Sequence, residues 1–216
     1  MEPSLRKLEV KRTANVYLLG EANGNITRLW LVLHGYAQHP AYWIKKFGPL
    51  AQTNQLVVAP EGLSKFYMQG NNGKVGASWM TKDERADEIK DYLNYLNQLI
   101  TQLKEEFPQA KIVLLGFSQG GATAARLLSE NPVVHALIIW SAVFPEDLLK
   151  PIPMHQIPTW LVYGMKDPYL QAQQREELLA HYRQHLPALK LLAFEGGHDI
   201  DPTTLLQLQT QILEYC

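Results

Sequence analysis

The sequence predicts an α/β protein in which helices cover both faces of a mainly parallel sheet. Six short apolar runs recur along the chain without alternating polar residues, and such runs are typical of strands buried on both faces. Stretches with helical patterning separate most of them, and strand, helix, strand in repetition favours parallel pairing. The apolar runs cover residues 29–33, 56–59, 111–115, 136–140, 159–163 and 189–194.

The clearest helix is predicted over residues 85–107, where apolar side chains recur at three- and four-residue steps and Pro108 follows as a stop. An edge strand or hairpin is expected within residues 8–19, at the N-terminal end of the pattern. The remaining helices are expected over residues 41–52, 119–130, 171–185 and 202–215.

Composition narrows the classes of function. The 216 residues suit one sizeable core, so we expect a single domain spanning residues 1–216. A formal net charge of -1 gives no electrostatic reason to expect a nucleic-acid partner. The lone cysteine, Cys216, excludes a disulfide framework within the chain and a cysteine metal site. We expect no metal and no cofactor.

No run approaches the ~20 apolar residues of a membrane span, so stable membrane insertion is not expected. Without a signal-peptide pattern, the expected location is the cytoplasm.

Ligand sites in such sheets lie beyond the carboxyl ends of the strands, so the residues just after each run deserve the closest reading. That topological rule selects a set containing a serine, an acid and a histidine in this chain order. The set is residues 34–36, 60–62 and 116–120 together with Ser141, Asp167 and His198.

Residues 116–120 read Gly-Phe-Ser-Gln-Gly, between a predicted strand and a predicted helix. This is the G-x-S-x-G elbow of α/β-hydrolases, which exposes Ser118 as a nucleophile. Glycine is required because side chains at Gly116 and Gly120 would collide with the neighbouring strand and helix. The alternative is a glycine-rich turn with an incidental serine, and the flanking strand and helix favour the elbow.

A serine hydroxyl needs a base and a group that orients the base. His198 is the candidate base because it follows the last strand in a glycine-flanked loop, although a surface histidine is the alternative. Asp167 is the candidate acid because it follows the preceding strand, although a turn or cap residue is the alternative. The rival acids are Asp147, Asp199 and Asp201, of which Asp201 looks like the N-cap of the last helix.

Attack of a serine on a carbonyl group creates an oxyanion, which needs two hydrogen-bond donors to stabilise it. We assign these donors to the backbone N–H groups of Tyr36 and Gln119. His34 then serves to brace the loop. The stretch 143–158 lies where larger relatives insert a lid domain, and its shortness predicts an open cleft without a large lid. An acyl pocket is a further hypothesis, with simple loop packing as the alternative. Its candidate walls are Phe66, Tyr67, Trp79 and Met80.

The chain resembles the phospholipase/carboxylesterase family, which includes bacterial carboxylesterases and acyl-protein thioesterases. The resemblance rests on residues 33–36, 116–121, Asp167 and 196–200 and runs from about residue 29 to the C-terminus. It implies hydrolysis of a small-molecule ester or thioester without a cofactor. The sequence departs from the family pattern in three places. These are residues 35–38, where it reads Gly-Tyr-Ala-Gln, the residues around Asp167, and the stretch 63–85.

The expected function is therefore that of a serine carboxylesterase working through an acyl-enzyme. Because the base must start neutral, activity should fall as His198 becomes protonated in acid. A lysophospholipase, an acyl-protein thioesterase, a protein deacylase or a peptidase would use the same triad. A binding protein on a retired hydrolase scaffold is the alternative from another class.

Overall fold

A computed structural model describes residues 3–131, 133–148, 157–170, 172–186 and 188–215. Residues 149–156 of the stretch 143–158, and Cys216, lie outside this described part. A seven-stranded sheet forms its centre, with the order β1-β3-β2-β6-β7-β8-β9. These strands are β1 Val16–Leu19, β2 Arg28–Leu33, β3 Gln55–Pro60, β6 Lys111–Phe117, β7 Val134–Trp140, β8 Thr159–Gly164 and β9 Lys190–Phe194.

Strand β1 pairs antiparallel with β3, and all other neighbours in this sheet pair in parallel. The six predicted strands are therefore confirmed, each within two residues at either end. The direction in which strands are added to the sheet reverses at β2. The next strand of this sheet, β3, lies on one side of β2, and β6 and the later strands lie on the other side. Loops that follow β2 and β6 meet at this point, which is where open parallel sheets bind ligands.

Helices pack on both faces of the sheet, as the sequence predicts. The long helix α2 Arg85–Glu106, α3 Gln119–Glu130 and α4 Ala172–His185 agree closely with the predicted ranges, and α5 Pro202–Leu213 ends two residues early. Leu29, Leu31 and Leu33 pack toward one apolar cluster with α2 and α3, whereas Trp30 and Val32 pack toward the other with α5. Alternate residues of β2 thus point into opposite cores, which explains why the run carries no polar positions.

The predicted helix over residues 41–52 is shorter and irregular. A four-residue helix, α1 Pro40–Trp43, continues as a 3-10 helix over Ile44–Leu50 that contains Pro49. Proline lacks the N–H of a helical hydrogen bond and clashes with the preceding turn, so an α-helix cannot run through it undisturbed.

One antiparallel hairpin was absent from the sequence prediction. It pairs β4 Ser64–Tyr67 with β5 Val75–Ser78. Gly76 packs so closely on the loop after β2 that a Cβ atom there would meet the backbone of Ala37. Within residues 8–19, only β1 forms a strand.

The predicted close approach at the elbow is present. A Cβ atom at Gly116 would collide with the carbonyl oxygen of Gly120, and one at Gly120 would collide with the carbonyl oxygens of Leu33 and His34. Helix α3 therefore starts directly against the ends of β2 and β6.

Replacing Gly120 by alanine tests this contact. The new methyl group would meet main-chain atoms that cannot move aside, so we expect Gly120→Ala to lower the free energy of unfolding by about 3 kcal/mol in urea titrations. Gly24→Ala is the matched control because a Cβ atom there meets nothing within 4 Å, and its stability should change by less than about 0.5 kcal/mol. Equal stability of the two variants would contradict the packing described above.

Candidate active site

A cavity of about 420 Å³ opens beyond the carboxyl ends of the parallel strands. It collects side chains from the loops that follow β2, β6, β7, β8 and β9. The lining residues are Gly35, Tyr36, Gln38, Phe117, Ser118, Ser141, Ala142, Val143, Asp167, Tyr169, Leu170 and His198. The structure thus brings the serine, acid and histidine selected from the sequence to one cavity.

Ser118 sits on a strained backbone at the turn from β6 into α3. Its φ of 52 and ψ of -120 lie outside the regions that non-glycine residues usually occupy. A hydrogen bond of 2.9 Å from its N–H to the carbonyl of Trp140 ties the turn to β7. Strain of this kind persists only where the surroundings enforce it, and it recurs at functional sites. Ser118 is the N-cap residue of α3, where the helix dipole favours negative charge.

His198 and Asp167 are directly bonded. The imidazole Nδ1 lies 2.8 Å from Asp167 Oδ2, and the other carboxylate oxygen accepts the N–H of Tyr169 at 2.9 Å. Asp167 is only 4% exposed, so its carboxylate is held firmly and is shielded from water. A carboxylate at Nδ1 fixes the proton there and leaves Nε2 as the basic nitrogen.

Aromatic rings also fix the plane of the imidazole. The ring centres of Phe117 and Tyr169 lie 4.8 Å and 4.7 Å from that of His198. Beneath them, a Cβ atom at Gly164 would meet the carbonyl oxygens of Gly196 and Gly197. The strand that leads to the acid and the loop that carries the histidine are therefore packed main chain against main chain.

In the loop after β2, the N–H of Tyr36 has no hydrogen-bond partner among the described residues, whereas the N–H groups on either side of it are bonded. Gly35 N–H donates to Gln38 Oε1 at 2.8 Å, and Ala37 N–H donates to Ala77 O at 2.9 Å. Between them lies the N–H of Tyr36, the donor assigned from the sequence. Its peptide is held from the other side, because His34 Nδ1 lies 2.7 Å from the carbonyl oxygen of Gly35.

His34 braces this loop, as predicted. Its ring is completely buried, and Nε2 accepts the N–H of Gly62 at 3.0 Å while Nδ1 binds the Gly35 carbonyl. Only the neutral imidazole can donate at one nitrogen and accept at the other. Burial lowers the pKa of His34 from 6.5 to about 4, which keeps the ring neutral at physiological pH.

The four residues considered for the acyl pocket lie elsewhere than on the cavity lining. Trp79 is 1% exposed, and its indole N–H donates to the carbonyl of His34 at 2.8 Å, beneath the loop. Met80 packs against the core, Phe66 stacks on Tyr36 with 5.3 Å between ring centres, and Tyr67 is exposed. An apolar side chain in a loop fits either setting, so its identity alone could not place it.

The side chain of Gln119 has a structural role that its sequence context did not indicate. Its side-chain Oε1 accepts the N–H of Trp79 at 3.0 Å, and its Nε2 donates to the carbonyl of Met80 at 2.7 Å. The side chain of Gln119 therefore connects the end of β5 to the start of α3. Gln38, Tyr169 and Leu170 are further lining residues that were not selected, although the departures from the family pattern fall at these positions.

The rival acids are used otherwise. Asp199 pairs with Lys46 at 2.8 Å on the surface, and Asp147 binds the buried guanidinium of Arg126 at 2.8 Å. Asp201 accepts the N–H of Thr204 at 2.8 Å as the N-cap of α5, in agreement with the sequence. Of the four aspartates compared, Asp167 is the one that the described contacts join to His198.

Comparisons with known proteins agree with this architecture. The structure of esterase PE8 superposes with a TM-score of 0.72 at 20% identity, covering 95% of this chain and 100% of that one. The acyl-protein thioesterase 2 of Zea mays gives a TM-score of 0.71 at 15% identity, covering 94% of this chain and 99% of that one. The Bacillus cereus carboxylesterase gives 0.65 at 13% identity, with coverages of 94% and 95%. Together with the strand order, these structural similarities show that the chain has the α/β-hydrolase fold.

The sequence profile described as Phospholipase/Carboxylesterase matches residues 21–215, so the chain belongs to that family. A curated relative, the platelet-activating factor acetylhydrolase of Cavia porcellus, is 26% identical over 132 residues. That match covers 60% of this chain and 29% of the relative, so the chain spans under a third of the relative's length.

Two negative findings apply to the part of the chain that the structure describes. None of its helices combines the length and the apolarity needed to cross a bilayer. Within the same residues, no group of three or more histidine, cysteine, aspartate and glutamate side chains is placed to hold a metal ion.

The buried neutral His34 predicts a pH dependence of stability. In the unfolded chain this histidine takes up a proton below about pH 6.5, whereas in the folded chain it does so only near pH 4. The free energy of unfolding should therefore fall as the pH drops from 6.5 toward 4. Above pH 6.5 the histidine is neutral in both states, so it should add no pH dependence to the stability. Urea titrations across this range measure the slope.

His34→Gln is the matching variant because glutamine can accept the Gly62 N–H but does not titrate. It should be less stable than the wild type at pH 7.5, since the Gly35 carbonyl loses its partner. Its stability should also fall less steeply toward pH 4. Parallel stability curves for the two proteins would refute a neutral buried imidazole.

Proposed function

We propose that this chain is a serine hydrolase that cleaves carboxylic esters through Ser118, His198 and Asp167. One observation carries the proposal. The 2.8 Å bond from His198 to the buried Asp167 orients an imidazole in the same cavity that holds the strained Ser118 turn. A base oriented by a carboxylate, in the same cavity as a serine hydroxyl, is the arrangement that nucleophilic catalysis requires.

Acylation uses each of these groups once. As Ser118 Oγ bonds to the carbonyl carbon, His198 Nε2 takes the hydroxyl proton and the carbonyl electron pair moves onto oxygen. The N–H groups of Tyr36 and Gln119 stabilise this oxyanion. When the carbonyl re-forms, the bond to the leaving alcohol breaks, and the alcohol oxygen receives the proton from His198.

Deacylation repeats the sequence with water. His198 Nε2 takes a proton from the water as its oxygen attacks the acyl carbon, and the returning proton goes to Ser118 as the carboxylic acid leaves. Asp167 keeps its charge throughout and stabilises the imidazolium that forms in each half. No cofactor enters either half of this cycle.

The cavity supports a small-molecule acyl substrate. Tyr36, Val143, Tyr169 and Leu170 give it an apolar wall, and each of the first three is more than half exposed. The aligned relative is named for hydrolysis of an acetyl group from platelet-activating factor, and a short acyl group would fit a cavity of about 420 Å³. We therefore place short-chain carboxylic esters first, with thioesters and lysophospholipids as alternatives on the same triad.

Covalent labelling tests the nucleophile. A fluorophosphonate probe should modify the wild-type chain at Ser118 and leave Ser118→Ala unlabelled, because the probe requires an activated hydroxyl. Intact-mass spectrometry and peptide mapping give the readout. Labelling of another serine, or labelling that persists in Ser118→Ala, would rule out this nucleophile. The absence of any label on the wild type would favour a binding protein on a hydrolase scaffold.

A matched pair of aspartate variants tests the orienting acid. Asp167→Asn should lower kcat on a p-nitrophenyl ester by roughly 10⁴-fold, the size of the effect in a serine protease triad, because the amide holds the wrong imidazole tautomer. Asp199→Asn should stay within about twofold, since Asp199 pairs with Lys46 on the surface. If Asp199→Asn were the variant that lost activity, the assignment of the acid would be wrong.

A further inference from the structure

Gln38 brings a side-chain amide to the cavity beside the proposed nucleophile. The residue lines the cavity together with Ser118 and belongs to the loop that carries Tyr36. Its carbonyl accepts the N–H of Ala77 at 3.2 Å, and its own N–H donates to the carbonyl of Gly35 at 3.3 Å. The main chain of Gln38 is therefore held between the loop and the hairpin, so its side chain begins at a fixed position.

The amide of Gln38 is bound in one orientation. Its Oε1 accepts the N–H of Gly35 at 2.8 Å. Because an N–H group needs an acceptor, the amide oxygen has to face Gly35 and the NH₂ group has to face elsewhere. The bond to Gly35 thus decides which end of the amide remains free for a ligand.

The NH₂ group of Gln38 is accessible and has no protein partner. Nε2 donates to no acceptor among the described residues, and it is not buried away from solvent. Few polar groups line a typical ligand cavity, and those that do fix the orientation of the ligand and its specificity. Nε2 is therefore a donor that an acceptor atom of a bound substrate can reach.

A distance through Gly35 places this amide close to Ser118. The point that a Cβ atom of Gly35 would occupy lies 3.2 Å from Gln38 Oε1 and 3.2 Å from Ser118 Cβ. These two atoms are therefore separated by at most twice that distance, about 6.4 Å. Nε2 is bonded to the same carbon as Oε1. An acyl group on Ser118 with an acceptor about two bonds from its carbonyl carbon spans this gap.

The order of the strands assigns the acyl side of the substrate to Gln38. The loop of Gln38 follows β2, which lies on one side of β6, whereas His198 follows β9, on the other side. The alcohol leaves toward His198, because that imidazole gives the alcohol its proton. The acyl substituent is the part of the ester that remains to face Gln38.

The lining of the cavity favours an acceptor without charge. Among the described residues that line it there is no lysine or arginine, and Asp167 is bonded to His198. A carboxylate or phosphate on the acyl group would therefore meet no cation. A side-chain amide suits an ether, hydroxyl or keto oxygen, which accepts a hydrogen bond while neutral.

We propose that Gln38 Nε2 donates a hydrogen bond to an uncharged oxygen on the acyl group and thereby favours esters of short oxygen-substituted acids. This inference rests on the proposed function of the triad and adds a substrate class to it. Gln38 breaks no bond and moves no proton. It selects the substrate, because an acyl group that lacks the acceptor leaves the NH₂ group without a partner in the complex.

Two acyl groups of equal size test this selection. In p-nitrophenyl methoxyacetate an ether oxygen replaces a methylene group of p-nitrophenyl butanoate, and the ratio of their kcat/KM values is the readout. Gln38→Glu retains the acceptor for Gly35 and replaces the NH₂ group by an oxygen. The ratio of methoxyacetate to butanoate should fall about tenfold, since a hydrogen bond is lost and two acceptors then face each other. The intrinsic reactivities of the two esters cancel when the variant is compared with the wild type.

Gln38→Met separates selection of the substrate from support of the loop. It removes the donor without adding a charge, so the ratio should fall about fivefold. It also removes the acceptor of the Gly35 N–H, so it should unfold at a lower urea concentration than the wild type, whereas Gln38→Glu should not.

Gln52→Glu is the matched control. Gln52 also donates through its side-chain Nε2, to the carbonyl of Pro49 at 3.1 Å, and it precedes β3 at the end of the sheet opposite the cavity. The same exchange of amide for carboxylate should change the ratio there by less than about twofold.

A ratio that stays within about twofold of the wild type in both Gln38 variants would overturn the role of Gln38, whether both rates fall together or neither falls. A ratio that falls only in Gln38→Glu would also overturn it, because the added charge would then be the cause. In either case a wild type that labels at Ser118 leaves the proposed function standing. A wild-type chain that neither labels nor hydrolyses either ester would overturn both.

Discussion

The architecture of the site depends on a main-chain contact that leaves no room for a side chain. Where β6 turns into α3, Gly116 packs against Gly120, and Gly120 packs against the carbonyl oxygens of Leu33 and His34 at the end of β2. This contact forces Ser118 onto a strained backbone and aims the start of α3 at the end of the sheet. A bulkier turn would lift the helix away and separate Ser118 from the loop of Tyr36.

A second main-chain contact holds the other half of the site. The loop of His198 packs against Gly164, and the N–H of Lys166 donates to Gly196 at 2.8 Å. The acid and the imidazole are therefore brought together by packing of their backbones as well as by the bond between their side chains. Each half of the site is therefore held by main-chain packing, and such packing favours the preorganised geometry that a reaction site requires.

The loop after β2 is fixed by a buried polar network that joins distant parts of the chain. His34 holds the Gly35 carbonyl and the Gly62 N–H, Trp79 holds the His34 carbonyl, and Gln119 holds the backbone of Trp79. In these hydrogen bonds, buried polar groups are bound to protein groups at fixed positions and not to water. The network therefore specifies one conformation of the loop after β2. The hairpin β4–β5 thereby supports the site from below and does not line it.

The fold, and the meeting of the selected serine, acid and histidine at one cavity, were predictable for simple physical reasons. Strands buried on both faces must be apolar throughout, as in residues 29–33, and glycines must stand wherever backbones touch. The rule that sites lie at the ends of parallel strands then points to Ser118, Asp167 and His198, which line one cavity in the structure. The hairpin was not predictable because β4 alternates half-buried and exposed residues over only four positions and contains no buried one. Trp79 was ambiguous because the sequence does not reveal which side of a loop faces the core.

A crystal structure of the chain after reaction with a fluorophosphonate tests the central claim most directly. The account predicts a phosphorus bonded to Ser118 Oγ, with one phosphoryl oxygen ~2.7–3.1 Å from the nitrogens of both Tyr36 and Gln119. His198 Nε2 should face the adduct while Nδ1 keeps its bond to Asp167. An adduct whose phosphoryl oxygen points away from both N–H groups, or an imidazole turned out of the cavity, would contradict the account.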